Sequence, residues 1–167
     1  LEHGVTKFKG TGNTLLGKLH NVKSADLNLL KLFSTEYFEI NPVNDIENYI
    51  WLKAVINSAI NPVASYYNLK NGGLKKEQYW NLVKDILAES TRIANSNNII
   101  FNEDPLILTR EIIEKTADNI CSMLQDVKKG RKTEINEING ILVQIGKKNN
   151  ASTQLNSEYL KKIKAVS

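Results

Sequence analysis

A mainly α-helical domain preceded by a short β-hairpin is the fold this sequence predicts. Three observations carry it: apolar residues recur at helical spacing along most of the chain, proline is down to three, and turn-forming clusters divide the pattern into helix-length pieces. The 167 residues are 41% apolar, enough for one domain with a real core and little room for a second.

The elements follow in order. Val5 to Lys9 and Thr14 to Leu19 are short runs flanking Gly10-Thr11-Gly12-Asn13, which reads as a hairpin turn over residues 1–20. From Ser24, an N-cap type, Leu27, Leu30, Leu32 and Phe33 recur at helical spacing. An extended stretch over Tyr37 to Ile40 ends at Asn41-Pro42. Asp45 to Ile60 reads as a helix stopped by Pro62, because the residue before a proline is pushed out of the helical region. Asn71-Gly72-Gly73 breaks the chain, and Glu77 to Asn95 forms a long helix with Trp80, Val83, Ile86, Leu87 and Ile93 inward. Asp104-Pro105 opens another helix that extends beyond Ala117, since aspartate caps well and proline is tolerated at the first helical position. After a basic break at Gly130 come helices over Glu134 to Gly146 and Asn156 to Val166. With one hairpin and no other strands, no parallel sheet is expected.

Composition excludes several classes of function. The net charge is only +4, from 22 basic and 18 acidic residues scattered along the chain, so no global field calls for a nucleic acid or an anionic membrane. Cys121 is the single cysteine, which excludes an internal disulfide framework, and no apolar run approaches the ~20 residues of a membrane span. A cytoplasmic protein is expected. The start, Leu1-Glu2-His3, has neither an initiator methionine nor the layout of a signal peptide, so the chain reads as a piece of something longer.

Two constellations carry chemistry. Lys53, Asn57 and Asn61 stand four apart, so each step turns about 40° past a full turn and rises about 6 Å, giving one slowly winding polar stripe. A polar stripe is ordinarily a solvated face. From Tyr49 to Ile60, however, only Lys53, Asn57 and Ser58 are polar, which points to a largely buried helix. A lysine in such surroundings loses hydration, which disfavours its charged form and makes it a usable proton donor near neutral pH. In the second constellation Asn119 and Ser122 share a helix face at i, i+3, and both can donate to a carboxylate or hydroxyl. Glu134 stands in the first turn of the next helix, where ordinary capping also explains an anion. Lys128, Lys129, Arg131 and Lys132 have no aromatic residue among them, so they read as solvated rather than as a nucleic-acid site.

Two further patterns carry nothing. Gly10-x-Gly12 lacks the third glycine at dinucleotide-fingerprint spacing. His3 and His20 are the only histidines, too few and too far from Cys121 for a zinc site or a nucleophile pair.

Trp51-x-Lys53 with Asn57 and Asn61-Pro62, then Asn119-x-x-Ser122-Met123-Leu124-Gln125-Asp126, then Gly130-Arg131-x-Thr133-Glu134-Ile135-x-x-Ile138-Asn139-Gly140, resemble the C-terminal signature of ketopantoate reductases. The resemblance runs from about Asp45 to Gly146 and includes Glu89. It departs at Cys121, where serine is usual, and at Ser152 and Gln154, where prolines precede the residue matching Asn156. It implies a helical domain like the C-terminal one of 6-phosphogluconate dehydrogenase, over residues 21–167, serving substrate binding and dimerisation. The hairpin over residues 1–20 would then be the tail of a Rossmann domain absent from this chain. The implied reaction is reduction of ketopantoate to pantoate in pantothenate synthesis, with NADPH bound mainly by the absent domain, so the chain alone is expected to be inactive. Lys53 would be the general acid. Asn57, Asn61, Asn119 and Ser122 would hold the carboxylate and hydroxyl of the 2-oxo acid, and Glu134 would anchor the substrate hydroxyl or the Lys53 network. A homodimer with no nucleic-acid or membrane partner is the implied assembly. The rival readings are a non-catalytic helical oligomerisation module and a reductase of a related 2-oxo acid.

Overall fold

The computed structural model describes residues 4, 5, 13–18, 35 and 39–167. The first hairpin arm beyond Val5, the turn at Gly10 to Gly12, both histidines and the helix expected from Ser24 lie outside them. The chain divides into two compact units, Leu1–Tyr49 and Ile50–Ser167.

In the first unit, β1 (Asn13–Gly17) pairs with β2 (Glu39–Val43) in parallel, in register from Asn13 opposite Glu39 to Gly17 opposite Val43. This corrects the expectation that no parallel pair forms. A parallel pair needs a connection of a dozen residues or more, and the chain between β1 and β2 is long enough for one. Strand β2 also runs through Asn41-Pro42 instead of ending there. It has one neighbour among the described residues, so the donor that proline lacks is tolerated on its other edge.

Helix α1 (Ile46–Tyr66) starts where Asp45 accepts the Asn48 N–H at 3.1 Å. It does not stop at Pro62 but carries that residue inside. Pro62 has no N–H for the Ser58 carbonyl four residues back, and the side chain of Asn139 takes that carbonyl instead, Nδ2 to O at 2.9 Å. The apolar residues Val55, Ile56, Ala59, Ile60, Val63 and Ala64 continue on both sides of the proline and are all buried. Burial and the substitute donor together outweigh the local preference to break.

A 3-10 turn (Asn71–Lys75) leads to α2 (Glu77–Ser96), then α3 (Pro105–Lys115), α4 (Ser122–Lys128), a π-type turn (Asn136–Gly140), α5 (Ile141–Lys148) and α6 (Gln154–Lys164). Helix α3 opens as expected, with Asp104 Oδ1 accepting the Leu106 N–H at 2.7 Å, but it ends at Lys115, short of Ala117. The helix expected over Glu134 to Gly146 is the π-type turn plus α5, and the last helix begins at Gln154 and ends at Lys164.

Four helices end in one way. Asn68, Gly130, Asn98 and Asn150, two residues past α1, α4, α2 and α5, adopt left-handed φ of 51°, 60°, 62° and 56°. In each case the next N–H reaches back to the carbonyl five residues earlier: Leu69 to Ala64, Arg131 to Asp126, Ile99 to Ala94 and Ala151 to Gly146. Asparagine is the side chain that tolerates this conformation best after glycine, which gives several of the chain's many asparagines a structural task.

The core of the second unit joins Val55, Ala59 and Val63 of α1 to Val83 and Ile86 of α2, Met123 and Leu124 of α4, and Tyr159 and Ile163 of α6. Burial pushes the Tyr159 phenol well above the ordinary tyrosine range. Lys162 crosses over it, its Nζ 4.7 Å from the Tyr159 ring centroid and 5.0 Å from that of Tyr66. Gly146 lies where α5 meets α2: a Cβ there would overlap Thr153 Cγ2 and come within 3.2 Å of Ile93 Cγ1. Gly146→Ala is therefore expected to destabilise the fold by about 1–3 kcal/mol, read as a lower urea midpoint with an unchanged slope.

Candidate functional site

Helix α1 is the platform. Eleven of its residues between Leu52 and Ser65 are buried, yet the polar stripe crosses from outside to inside: Lys53 is exposed, Asn57 half-buried and Asn61 only 6% exposed. The winding of a four-residue spacing explains this, because each step rotates the next side chain further toward the core. The expected burial of Lys53 is thus corrected. The helix is largely buried, but Lys53 stands on its remaining open side.

Asn119 and Ser122 do not share a helix face. Asn119 sits in the loop after α3 and Ser122 is the first residue of α4, and both are exposed. The loop is held by backbone bonds rather than by helical continuation. Asn71 N donates to Asn119 O at 3.0 Å, Gly72 N to Ala117 O at 2.9 Å, and Asn71 Nδ2 to Thr116 Oγ1 at 2.8 Å. Cys121, between the two candidates, donates its thiol to Asn61 O at 3.8 Å and lies 3.6 Å from Ser65 Oγ. The Asn119–Ser122 segment is therefore tied to α1 at the level of Asn61.

Glu134 is exposed in the turn before the π-type segment, where its carbonyl accepts the Ile138 N–H at 3.0 Å, so it does stand in a first helical turn. The preceding left-handed Gly130 sends the chain back from α4 to this point. Two members of the basic cluster before it are locally paired, Arg131 with Asp126 and Lys132 with Glu137 at 3.4 Å. The bond from Asn139 to Ser58 O ties this third segment to α1 as well. All three stretches of candidate residues thus converge on one helix, held by backbone and core contacts. Among the described residues, no hydrogen bond joins the side chains of Lys53, Asn57, Asn119, Ser122 and Glu134 to one another.

Asn71 is the polar residue that the sequence reading passed over, taken there as part of a chain break. It is 7% exposed, it holds the Asn119 loop, and its Oδ1 is buried without a hydrogen-bond partner among the described residues. No spacing rule singles it out, because it contacts the loop from a separate turn. Two clefts lie apart from the candidate residues. One, of about 200 Å³, is lined by Trp80 and Arg110, and the other, of about 440 Å³, by residues including Lys84, Thr91 and Asp104.

Residues 45–167 match the family model described as ketopantoate reductase PanE/ApbA, C terminal. A 2-dehydropantoate 2-reductase of Pyrococcus horikoshii is 33% identical over 157 residues, 93% of this chain and 52% of that protein. The solved structure of a probable 2-dehydropantoate 2-reductase from Bacillus subtilis aligns with a TM-score of 0.83 at 24% identity, covering 95% of this chain and 54% of that one. A D-mandelate dehydrogenase solved with NADH aligns with a TM-score of 0.84 at 24% identity, covering 94% and 55%. The chain spans about half the length of the curated relatives it matches. No helix among the described residues is long and apolar enough to cross a membrane. Motifs, helical fold and the match over residues 45–167 agree: this chain belongs to the ketopantoate reductase family, in its C-terminal part.

Proposed function

We propose that the protein is an NADPH-dependent 2-dehydropantoate 2-reductase in which this chain binds the substrate and Lys53 is the general acid. The observation that carries the reading is the stripe on α1, which runs from an exposed ammonium at Lys53 to a buried amide at Asn61, with the Asn119–Ser122 and Glu134 segments tied to the same helix. A 2-oxo acid presents a ketone next to a carboxylate. An ammonium at the ketone oxygen attracts the negative charge that builds there and supplies the proton that quenches it. The amides of Asn57, Asn61 and Asn119 and the Ser122 hydroxyl are donors suited to the carboxylate and hydroxyl, while the Glu134 carboxylate anchors a hydroxyl or the Lys53 ammonium. Exposed Ile50, one turn before Lys53, gives the ammonium an apolar neighbour.

The nicotinamide cofactor supplies the hydride when bound. Three of the described helix N-termini are unsuited to its diphosphate: Asp45, Asp104 and Glu89 already place carboxylates at the starts of α1, α3 and α6, where a phosphate would be repelled. In this reading, cofactor binding belongs to other residues, residues 1–20 to the nucleotide-binding part, and residues 21–167 to substrate binding and pairing in a cytoplasmic homodimer.

Steady-state assay of the full-length protein with ketopantoate and NADPH tests the reading. Asn57→Ala or Ser122→Ala removes a substrate contact and is expected to raise KM about tenfold or more, with kcat within a few-fold. A folded full-length protein that leaves ketopantoate unreduced with either nicotinamide cofactor overturns it.

A further inference from the structure

Five polar side chains are sealed inside the second unit: Ser58, Ser90, Asn139 and Asn156 at 0% exposure and Glu89 at 2%. They form one chain of hydrogen bonds. Asn156 Nδ2 donates to Glu89 Oε1 at 2.9 Å and to Ser90 Oγ at 3.0 Å, and Ser90 Oγ lies 2.7 Å from Ser58 Oγ. The amide of Asn139 divides its two hydrogens, one to Asn156 Oδ1 and one to Ser58 O, each at 2.9 Å. Outside the chain, Ser58 Oγ reaches Val55 O at 2.7 Å and Glu89 accepts from the start of α6, while Asn139 Oδ1 has no partner among the described residues. Groups buried this deeply have no water to turn to, so the arrangement admits few alternatives.

The network meets α1 at a particular place. Ser58 O is the carbonyl that Pro62 leaves without its helical donor, and Ser58 lies between Asn57 and Asn61 on the candidate stripe. Asn139 in turn follows Glu134 by five residues on the π-type segment. One side chain thus joins the helix bearing Lys53, Asn57 and Asn61 to the segment bearing Glu134. We propose that Asn139 is a positioning residue of the site: by replacing the donor missing at Pro62, it sets where Lys53 and its neighbours on α1 stand relative to Glu134. It touches no substrate and acts through Ser58 O.

For its kinetic readout this inference rests on the reductase reading above. In the full-length enzyme, Asn139→Leu is expected to lower kcat per folded molecule about tenfold, since displacements near 1 Å at reacting groups cost up to about a hundredfold. Pro62→Ala alone should leave kcat and KM within about twofold, because an alanine N–H at position 62 reaches Ser58 O in the ordinary helical way. The distinctive outcome is rescue: Asn139→Leu combined with Pro62→Ala should recover most of the lost kcat. A purely structural Asn139 would lower the melting temperature yet leave the kcat of folded enzyme unchanged, and that result, or a kcat loss without rescue, overturns the proposal. Amide hydrogen exchange over residues 53–61 supplies an arm independent of activity. Exchange there should speed up in Asn139→Leu and slow again in the double variant, and unchanged exchange overturns the proposal. A wild-type enzyme that does not reduce ketopantoate defeats the functional reading and leaves the exchange arm to decide this one. Where neither Asn139→Leu nor Asn139→Ala folds alone, each should fold once combined with Pro62→Ala, and failure of both combinations also overturns it.

Discussion

Replacing Lys53 by alanine in the full-length protein is expected to lower kcat for ketopantoate reduction about a hundredfold or more, the scale usual for loss of a general acid. KM should change much less. The ammonium works chiefly when negative charge gathers on the ketone oxygen, so it stabilises the transition state more than the bound substrate. Lys53→Arg should not restore turnover, because a guanidinium keeps its proton near neutral pH and its planar fork does not occupy the place of a compact ammonium. Since Lys53 is exposed, neither change should lower stability appreciably, and circular dichroism and melting temperature provide the control. Turnover of Lys53→Ala within a few-fold of wild type, in folded protein, would falsify the assignment.

The second large effect is on stability. Glu89→Ala is expected to cost about 4 kcal/mol, a large part of the total for an ordinary domain. The carboxylate, 2% exposed, accepts from Asn156 N at 2.8 Å, Asn156 Nδ2 at 2.9 Å, Leu155 N at 3.1 Å and Ser152 Oγ at 3.4 Å. It thereby caps α6 from a different helix, satisfying N–H groups of the first turn and placing negative charge at the positive end of the dipole. Alanine leaves the N–H of Asn156 buried and that of Leu155 half-buried without this acceptor, each orphan costing roughly 1–3 kcal/mol, while Asn156 Nδ2 keeps Ser90 Oγ and Ser152 is open to water. Glu89→Gln keeps one acceptor oxygen and should lose about half as much. Urea unfolding of the full-length protein measures both, and a loss below about 1 kcal/mol for Glu89→Ala would mean that α6 is anchored by its apolar side alone, through Tyr159 and Ile163.

Local signals in the sequence were sufficient wherever the physics is local. Helix α2 is amphipathic along its length, and Val83, Ile86, Leu87 and Ile93 are buried as their spacing requires, with Trp80 only partly so. Asp104-Pro105 caps α3 because capping involves residues two or three apart. The ends of helices were less legible. Asn68, Asn98 and Asn150 close theirs through left-handed turns, but asparagine is so frequent in this chain that no single one announced itself.

The misread elements share a cause. Ending α1 before Pro62 was sound for an isolated segment, but the donor that repairs the gap comes from Asn139, 81 residues beyond the carbonyl it serves. No parallel pair was expected, because residues 18–38 lie between β1 and β2, too long a separation for a local signal to join them. Asn119 was placed on a helix with Ser122, yet backbone bonds from Asn71 and Gly72 hold that segment as a loop.

By itself the sequence determined the helical class, the residue types of the candidate site and their four-residue spacing on α1, because period and composition depend on neighbours within one or two turns. Only the tertiary structure decided that Lys53 stands open while Asn61 is buried, that Asn71 supports the Asn119 loop, and that α1 passes through its proline. Each of these depends on which distant group fills a hydrogen bond or covers a face, and no periodicity records that.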